Sequence, residues 1–148
     1  QAIGRLGCFL VGDDYGIPSS LPWAMSFPQG LPPTTTTVFE YQFPWVDISG
    51  LPAGLIKVHP TQIYETIICS GLFYMLWSRR KNILVPGSLF FQYLILAGAE
   101  RFSIEFLRTN EKYVLDLFSG AQILSMLMII IGSYFLLNPI SDGKTNTE

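Results

Sequence analysis

Charge is scarce in this 148-residue chain: 14% of residues are charged, the net charge is −2, and no basic run exceeds Arg79-Arg80-Lys81. Without a basic field there is nothing to neutralise a phosphate backbone, which sets nucleic acid aside as a partner. Cysteine is down to Cys8 and Cys69, which form neither a disulfide framework nor a zinc spacing. The chain opens at Gln1 with no Met, no basic n-region and no signal-peptide pattern, and its first residues read as the middle of something longer. Repeats are absent, and the run Thr34 to Thr37 is the one low-complexity tract. Hydrophobic residues make up 49% of the chain and mean hydropathy is positive. That balance moves the expectation from a soluble domain to a membrane protein.

One stretch organises the rest. From Gly87 the sequence GSLFFQYLILAGA runs uncharged, then delivers Glu100, Arg101, Glu105 and Arg108 within RFSIEFLR and the residue before it. At roughly 100° per residue, Arg101, Glu105 and Arg108 share one helical face, while Glu100 points elsewhere. Charges at bilayer depth are costly and mark functional sites by default. The same three residues would also make a structural ion-pair stripe in a helix bundle, and spacing alone leaves both readings open.

In chain order, residues 1–16 hold glycines at 4, 7, 12 and 16 around a short apolar run containing Arg5 and ending in Asp13-Asp14. This run is too short to span a bilayer, which takes about 20 residues, so it reads as a re-entrant or interfacial segment or as the end of a helix. Gly4 and Gly7 would let Arg5 approach another backbone or a ligand. Residues 17–58 read as an outer loop rich in proline and aromatics, suited to the membrane interface, with VFEYQF at 38–43 as a strand or hairpin arm. His59-Pro60-Thr61-Gln62 opens a helix. Three spans follow, at 61–78, 87–108 and 117–137, with a polar, disordered tail at 138–148. The basic cluster at 79–81 places that end in the cytoplasm, so the His59 end, the aromatic loop and the Arg108 end face outward. Arg101, roughly 21 Å along the second span from Gly87, lies in the outer third of the membrane. The fold class is therefore an all-α integral membrane protein.

Four motifs in order, GRLGCFLVGDDYG at 4–16, HPTQIYE at 59–65, RFSIEFLR at 101–108 and GAQILSMLMIIIG at 120–132, together resemble the prolipoprotein diacylglyceryl transferase family. The resemblance covers nearly all of the chain and the C-terminal portion of a family with about seven spans. It implies a bacterial inner-membrane enzyme that moves the diacylglyceryl group of phosphatidylglycerol to the lipobox cysteine of a prolipoprotein signal peptide, forming a thioether and releasing glycerol phosphate. No metal or cofactor is implied. By the same resemblance Arg5, Arg101 and Glu105 are the catalytic positions. Arg5, Arg101, Arg108, Asp13, Gly16, His59, Gln62, Tyr64, Glu65 and Gln122 line the substrate site, with Ser125 matching the last motif. Asp13 stands where the family usually has Glu, and Cys8 where it more often has Asn; the family's upstream His-Gly-Gly motif does not occur in this sequence.

Two arginine forks suit an anionic leaving group, with Glu105 neutralising and orienting Arg101 and Arg108. The family histidine is the expected base, and His59 reads first as a helix-start residue. Cys8 is not the nucleophile, because the reactive thiol belongs to the substrate. The alternatives are a non-catalytic lipid-binding paralogue and, further off, a transporter subunit. Restoration of lipoprotein processing, thioether lipid on a lipobox peptide, and solute flux tell the three apart.

Overall fold

The computed structural model describes residues 1–81, 87–109 and 119–138. These residues form five helices and no strand beyond isolated bridges: α1 (Ala2–Val11), α2 (Thr36–Gln42), α3 (Thr61–Arg79), α4 (Ser88–Glu105) and α5 (Gly120–Leu137). The start of the third expected span at 117, the turn at 82–86 and the tail from 139 lie outside the described residues. Of the described helices, Gly120–Leu137 alone is long and apolar enough to cross a membrane by length and composition. The three-span expectation thus rests on α3 and α4 as well, whose polar residues dilute their hydropathy.

Helix α5 begins where its capping chemistry begins. The Ser119 hydroxyl accepts from Gln122 N–H at 3.3 Å while Gln122 Oε1 accepts from Ser119 N–H at 3.0 Å, a reciprocal cap that satisfies two orphan donors. Helices α4 and α5 run antiparallel at close approach, because Gly98 and Gly132 put no side chain between them. A Cβ at Gly98 would lie 2.8 Å from the Ser125 carbonyl oxygen, and one at Gly132 would lie 2.9 Å from that of Phe91. Small residues that let backbones meet are the usual device where lipid removes the hydrophobic drive for helix association. Phe91 and Phe135 stack at 4.9 Å on the same seam. Gly4 and Gly7 differ: among the described residues a Cβ at either meets nothing within 4 Å.

The loop 17–58 folds over its own small core of Tyr15, Phe39, Ile56 and Val58, against which Phe27, Phe43, Val46 and Ile48 pack. Tyr15 stacks on Phe27 and Phe39, and its hydroxyl donates to the Pro32 carbonyl at 3.0 Å. Burial pushes this phenol up to about 12, so it remains a donor at any physiological pH. The expected strand at 38–43 is instead the helix α2. Its alternation of aromatic and polar residues is real, but Thr35 caps the helix by accepting from Val38 N–H, and Phe39 and Phe43, four residues apart, set their rings 5.2 Å from one another at a tilt, both against Tyr15. The tertiary gain from that helical pair overrides local strand preference.

Candidate functional site

Gly16 is the knot that brings the site segments together. Its N–H donates to the His59 carbonyl at 2.9 Å, the next residue Ile17 donates to the Leu107 carbonyl at 2.9 Å, and Gly16 forms an antiparallel bridge with Arg108. A Cβ here would strike the Leu107 carbonyl oxygen and come within 2.8 Å of Thr61 Cγ2 and 2.9 Å of His59 Cβ. Only glycine fits where three backbones meet. Gly16→Ala is therefore expected to cost about 1–3 kcal/mol through forced separation of these segments, read as a lowered unfolding midpoint together with lost activity. A variant of unchanged midpoint and activity would show that the three segments can part without consequence.

The turn before Gly16 is held by the start of α3. Thr61 Oγ1 donates to the Asp14 carbonyl at 2.8 Å and Gln62 Nε2 donates to the Asp13 carbonyl at 2.5 Å. Thr61 and Gln62 are fully buried. Asp14 sits at a positive φ of 55°, a conformation that Asp tolerates better than most residues. This turns its carboxylate back over α1.

That carboxylate carries two cations. Arg5 Nη1 donates to Asp14 Oδ2 at 2.7 Å, and Arg108 Nη2 donates to Asp14 Oδ1. Arg5 also brings its Nε to 2.6 Å from Glu65 Oε2, and Arg101 Nη1 stands 3.6 Å from the same oxygen. The Glu65 contacts are ion pairs by distance, without hydrogen-bond alignment. The result is one chain of alternating charge, Arg108, Asp14, Arg5, Glu65, Arg101, drawn from α1, α3, α4 and the turn after each of α1 and α4. Three guanidiniums against two carboxylates leave this chain one positive charge. Glu65, between Arg5 and Arg101, is wholly buried, whereas the Arg101 side chain keeps 39% of its surface exposed at one end.

The arginines expected from the sequence, Arg5, Arg101 and Arg108, do converge. Glu65 and Asp14 are carboxylates that meet them; Glu105, to which helical spacing pointed, is buried at the last turn of α4 and is itself partnered. Asp14, in place of its neighbour Asp13, supplies the pairing carboxylate; nothing in an Asp-Asp dipeptide says which of the two a turn will aim inward. Gln62 acts on the backbone, and Gln122 is engaged in the α5 cap, remote in role from the arginines. Tyr64 links the loop to α3: Trp23 Nε1 donates to its hydroxyl at 2.8 Å, and His59 Nδ1 lies 3.3 Å from the same oxygen. His59 is thus tied to local structure, as its helix-start position implied. Cys8, Asp13 and Asp14 place three potential ligand atoms within 4.8 Å of one another, but Asp14 is already committed to two guanidiniums, which disfavours a cation there.

Comparison with known proteins bears on this geometry. A family model described as prolipoprotein diacylglyceryl transferase matches residues 1–138. A protein of Clostridium tetani named phosphatidylglycerol–prolipoprotein diacylglyceryl transferase is 36% identical over 135 residues, covering 90% of this chain and 46% of the relative. Similarly named proteins of Oceanobacillus iheyensis and Clostridioides difficile are 34% and 33% identical, covering 93% and 89% of this chain and 44% and 42% of theirs. The chain spans a little under half the length of these curated relatives. No solved structure matches it. With three of its four motifs brought to one set of arginines and the family match running from residue 1 to residue 138, the chain belongs to the prolipoprotein diacylglyceryl transferase family.

Proposed function

We propose that the protein transfers the diacylglyceryl group of phosphatidylglycerol to the lipobox cysteine of bacterial prolipoproteins, with α3, α4 and α5 as spans of the inner membrane and the arginine cluster toward the outer leaflet. The observation that carries this reading is the alternating charge chain with its surplus positive charge and its exposed end at Arg101. The names of the relatives supply the substrates.

In the reaction the cysteine sulfur attacks the glycerol carbon that bears the phosphate. The carbon–sulfur bond forms as the carbon–oxygen bond breaks, and glycerol phosphate leaves with the bonding pair, gaining one negative charge. The thiol proton passes to a base or to water. Charge developing on the phosphate is what the arginines are placed to meet, since a donor fixed in advance costs no reorganisation at the moment of reaction. Arg5 and Arg101 act on the phosphate and Arg108 adds to the field. Glu65 and Asp14 fix the planes of the forks and limit the repulsion among three like charges. Planar forks suit phosphate better than point charges do, because two N–H groups can reach two oxygens at once.

The reading is tested in bacteria depleted of their own transferase. The intact protein is expected to restore lipoprotein processing, and the Arg101→Ala variant, inserted at the same level, is expected not to. Stable insertion without restored processing would favour a non-catalytic lipid-binding role.

A further inference from the structure

Glu100 lies off the arginine face, yet it is not turned to lipid or water: it is 6% exposed, and neither carboxyl oxygen has a hydrogen-bond partner. Among the described residues no cation stands within ion-pair distance of it. A carboxyl left this way costs several kcal/mol unless something supplies a partner. It lines an apolar cavity of about 900 Å³ between α3 and α4, walled by Phe73, Leu76, Trp77, Phe90, Tyr93 and Ala97. The cavity extends from Glu100 to Gly87, roughly 20 Å along α4 at about 1.5 Å per residue. Residues 1–3 of the α1 end also line it, and Arg5 of the same helix belongs to the charge chain, so cavity and arginine cluster adjoin.

The order of chemistry along α4 is specific. Arg101 comes first, then Glu100 one residue deeper, then an apolar wall. A diacyl glycerophospholipid of the outer leaflet presents the same order: anionic phosphate, ester carbonyls, hydrocarbon. We infer that the α3–α4 cavity holds acyl chain of the phospholipid whose phosphate meets the arginines, and that Glu100 is a positioning residue whose carboxyl donates a hydrogen bond to an ester carbonyl of that lipid. The inference rests on the proposed function for its choice of lipid. An ester carbonyl only accepts, so this hydrogen bond uses the acid form of Glu100. It fixes the height at which the glycerol carbon stands relative to Arg101, one residue away.

Trp77, on the cavity wall, makes this measurable without turnover. The intact protein in nanodiscs is titrated with phosphatidylglycerol carrying brominated acyl chains, and quenching of tryptophan fluorescence is compared with that of a Trp77→Phe variant. Unbrominated diester and dialkyl-ether phosphatidylglycerol then compete for the site. The Trp77-dependent quenching is expected to be displaced about fivefold more effectively by the diester, the effect of a single neutral hydrogen bond. Glu100→Gln, whose amide still donates, is expected to keep most of that preference; Glu100→Leu, which fills the space and donates nothing, is expected to abolish it while quenching persists. Quenching unchanged by Trp77→Phe would place something other than acyl chain in the cavity and overturn the inference. So would equal competition by ester and ether lipids in the parent protein. Because the readout is binding, loss of the ester preference in a protein that still transfers lipid strikes this inference alone. Preserved preference without transfer strikes the proposed activity alone.

Discussion

Arg101→Lys is expected to lose diacylglyceryl transfer nearly as completely as Arg101→Ala, by about a hundredfold or more in each case. Lysine keeps the charge and nearly the length, so a site that needed only positive potential would tolerate it. The geometry argues otherwise. Arg101 stands 3.6 Å from Glu65 and keeps 39% of its side-chain surface exposed. A guanidinium held at one corner still has N–H groups in a fixed plane for a second anion, whereas an ammonium that reaches Glu65 presents no fork to the phosphate. The check is the initial rate of thioether lipid formation on a lipobox peptide, with membrane insertion of each variant measured in parallel. Near-normal transfer by the lysine variant would reduce the clamp to a simple cation.

Glu65→Gln is expected to be the most damaging change to the fold of the site. Glu65 is fully buried and lies against Arg5 and Arg101 at once, so neutralising it leaves these two guanidiniums with no negative charge between them. Removing one partner of a buried ion pair costs about 3–5 kcal/mol, chiefly because the remaining charge stays desolvated. Asp14→Asn offers the internal comparison. Asp14 also carries two arginines, but its side chain is 38% exposed, so water takes up part of the loss and about 1 kcal/mol is expected. Unfolding midpoints in detergent, paired with transfer rates, test the order. If Asp14→Asn proves as destabilising as Glu65→Gln, burial is not what sets the cost.

Much of the helical architecture could be read from the chain because its signals are local. The His59-Pro60 start, the uncharged runs and the i, i+4 placement of Arg101 and Glu105 lie within single elements, whereas the expected helix 87–108 ends at Glu105, so Arg108 falls in the turn beyond it and not on the same helical face. That Arg5 and Arg101 serve one site was legible only through the resemblance of their motifs. What stayed hidden depends on residues far apart in sequence. Arg101 meets Glu65 because α3 and α4 adjoin, and Arg108 meets Asp14 because Gly16 is stitched to both His59 and Leu107. No helical wheel of α4 can show either. At 38–43 the alternating pattern and the Phe39–Phe43 spacing were both present, and only the position of Tyr15 decides between them. Glu100 was placed correctly off the arginine face, but its burial against a cavity needs α3 to be seen.

The central claim is that the arginines hold a phosphate that leaves during thioether formation. The most direct test supplies the intact protein in vesicles with phosphatidylglycerol labelled in its headgroup and a lipobox peptide, then measures released glycerol phosphate against thioether-linked lipid. The account predicts equimolar release, abolished together with the thioether by Arg101→Ala. Thioether lipid formed at the parent rate by Arg101→Ala, or lipid bound with no glycerol phosphate released by the parent protein, would contradict it.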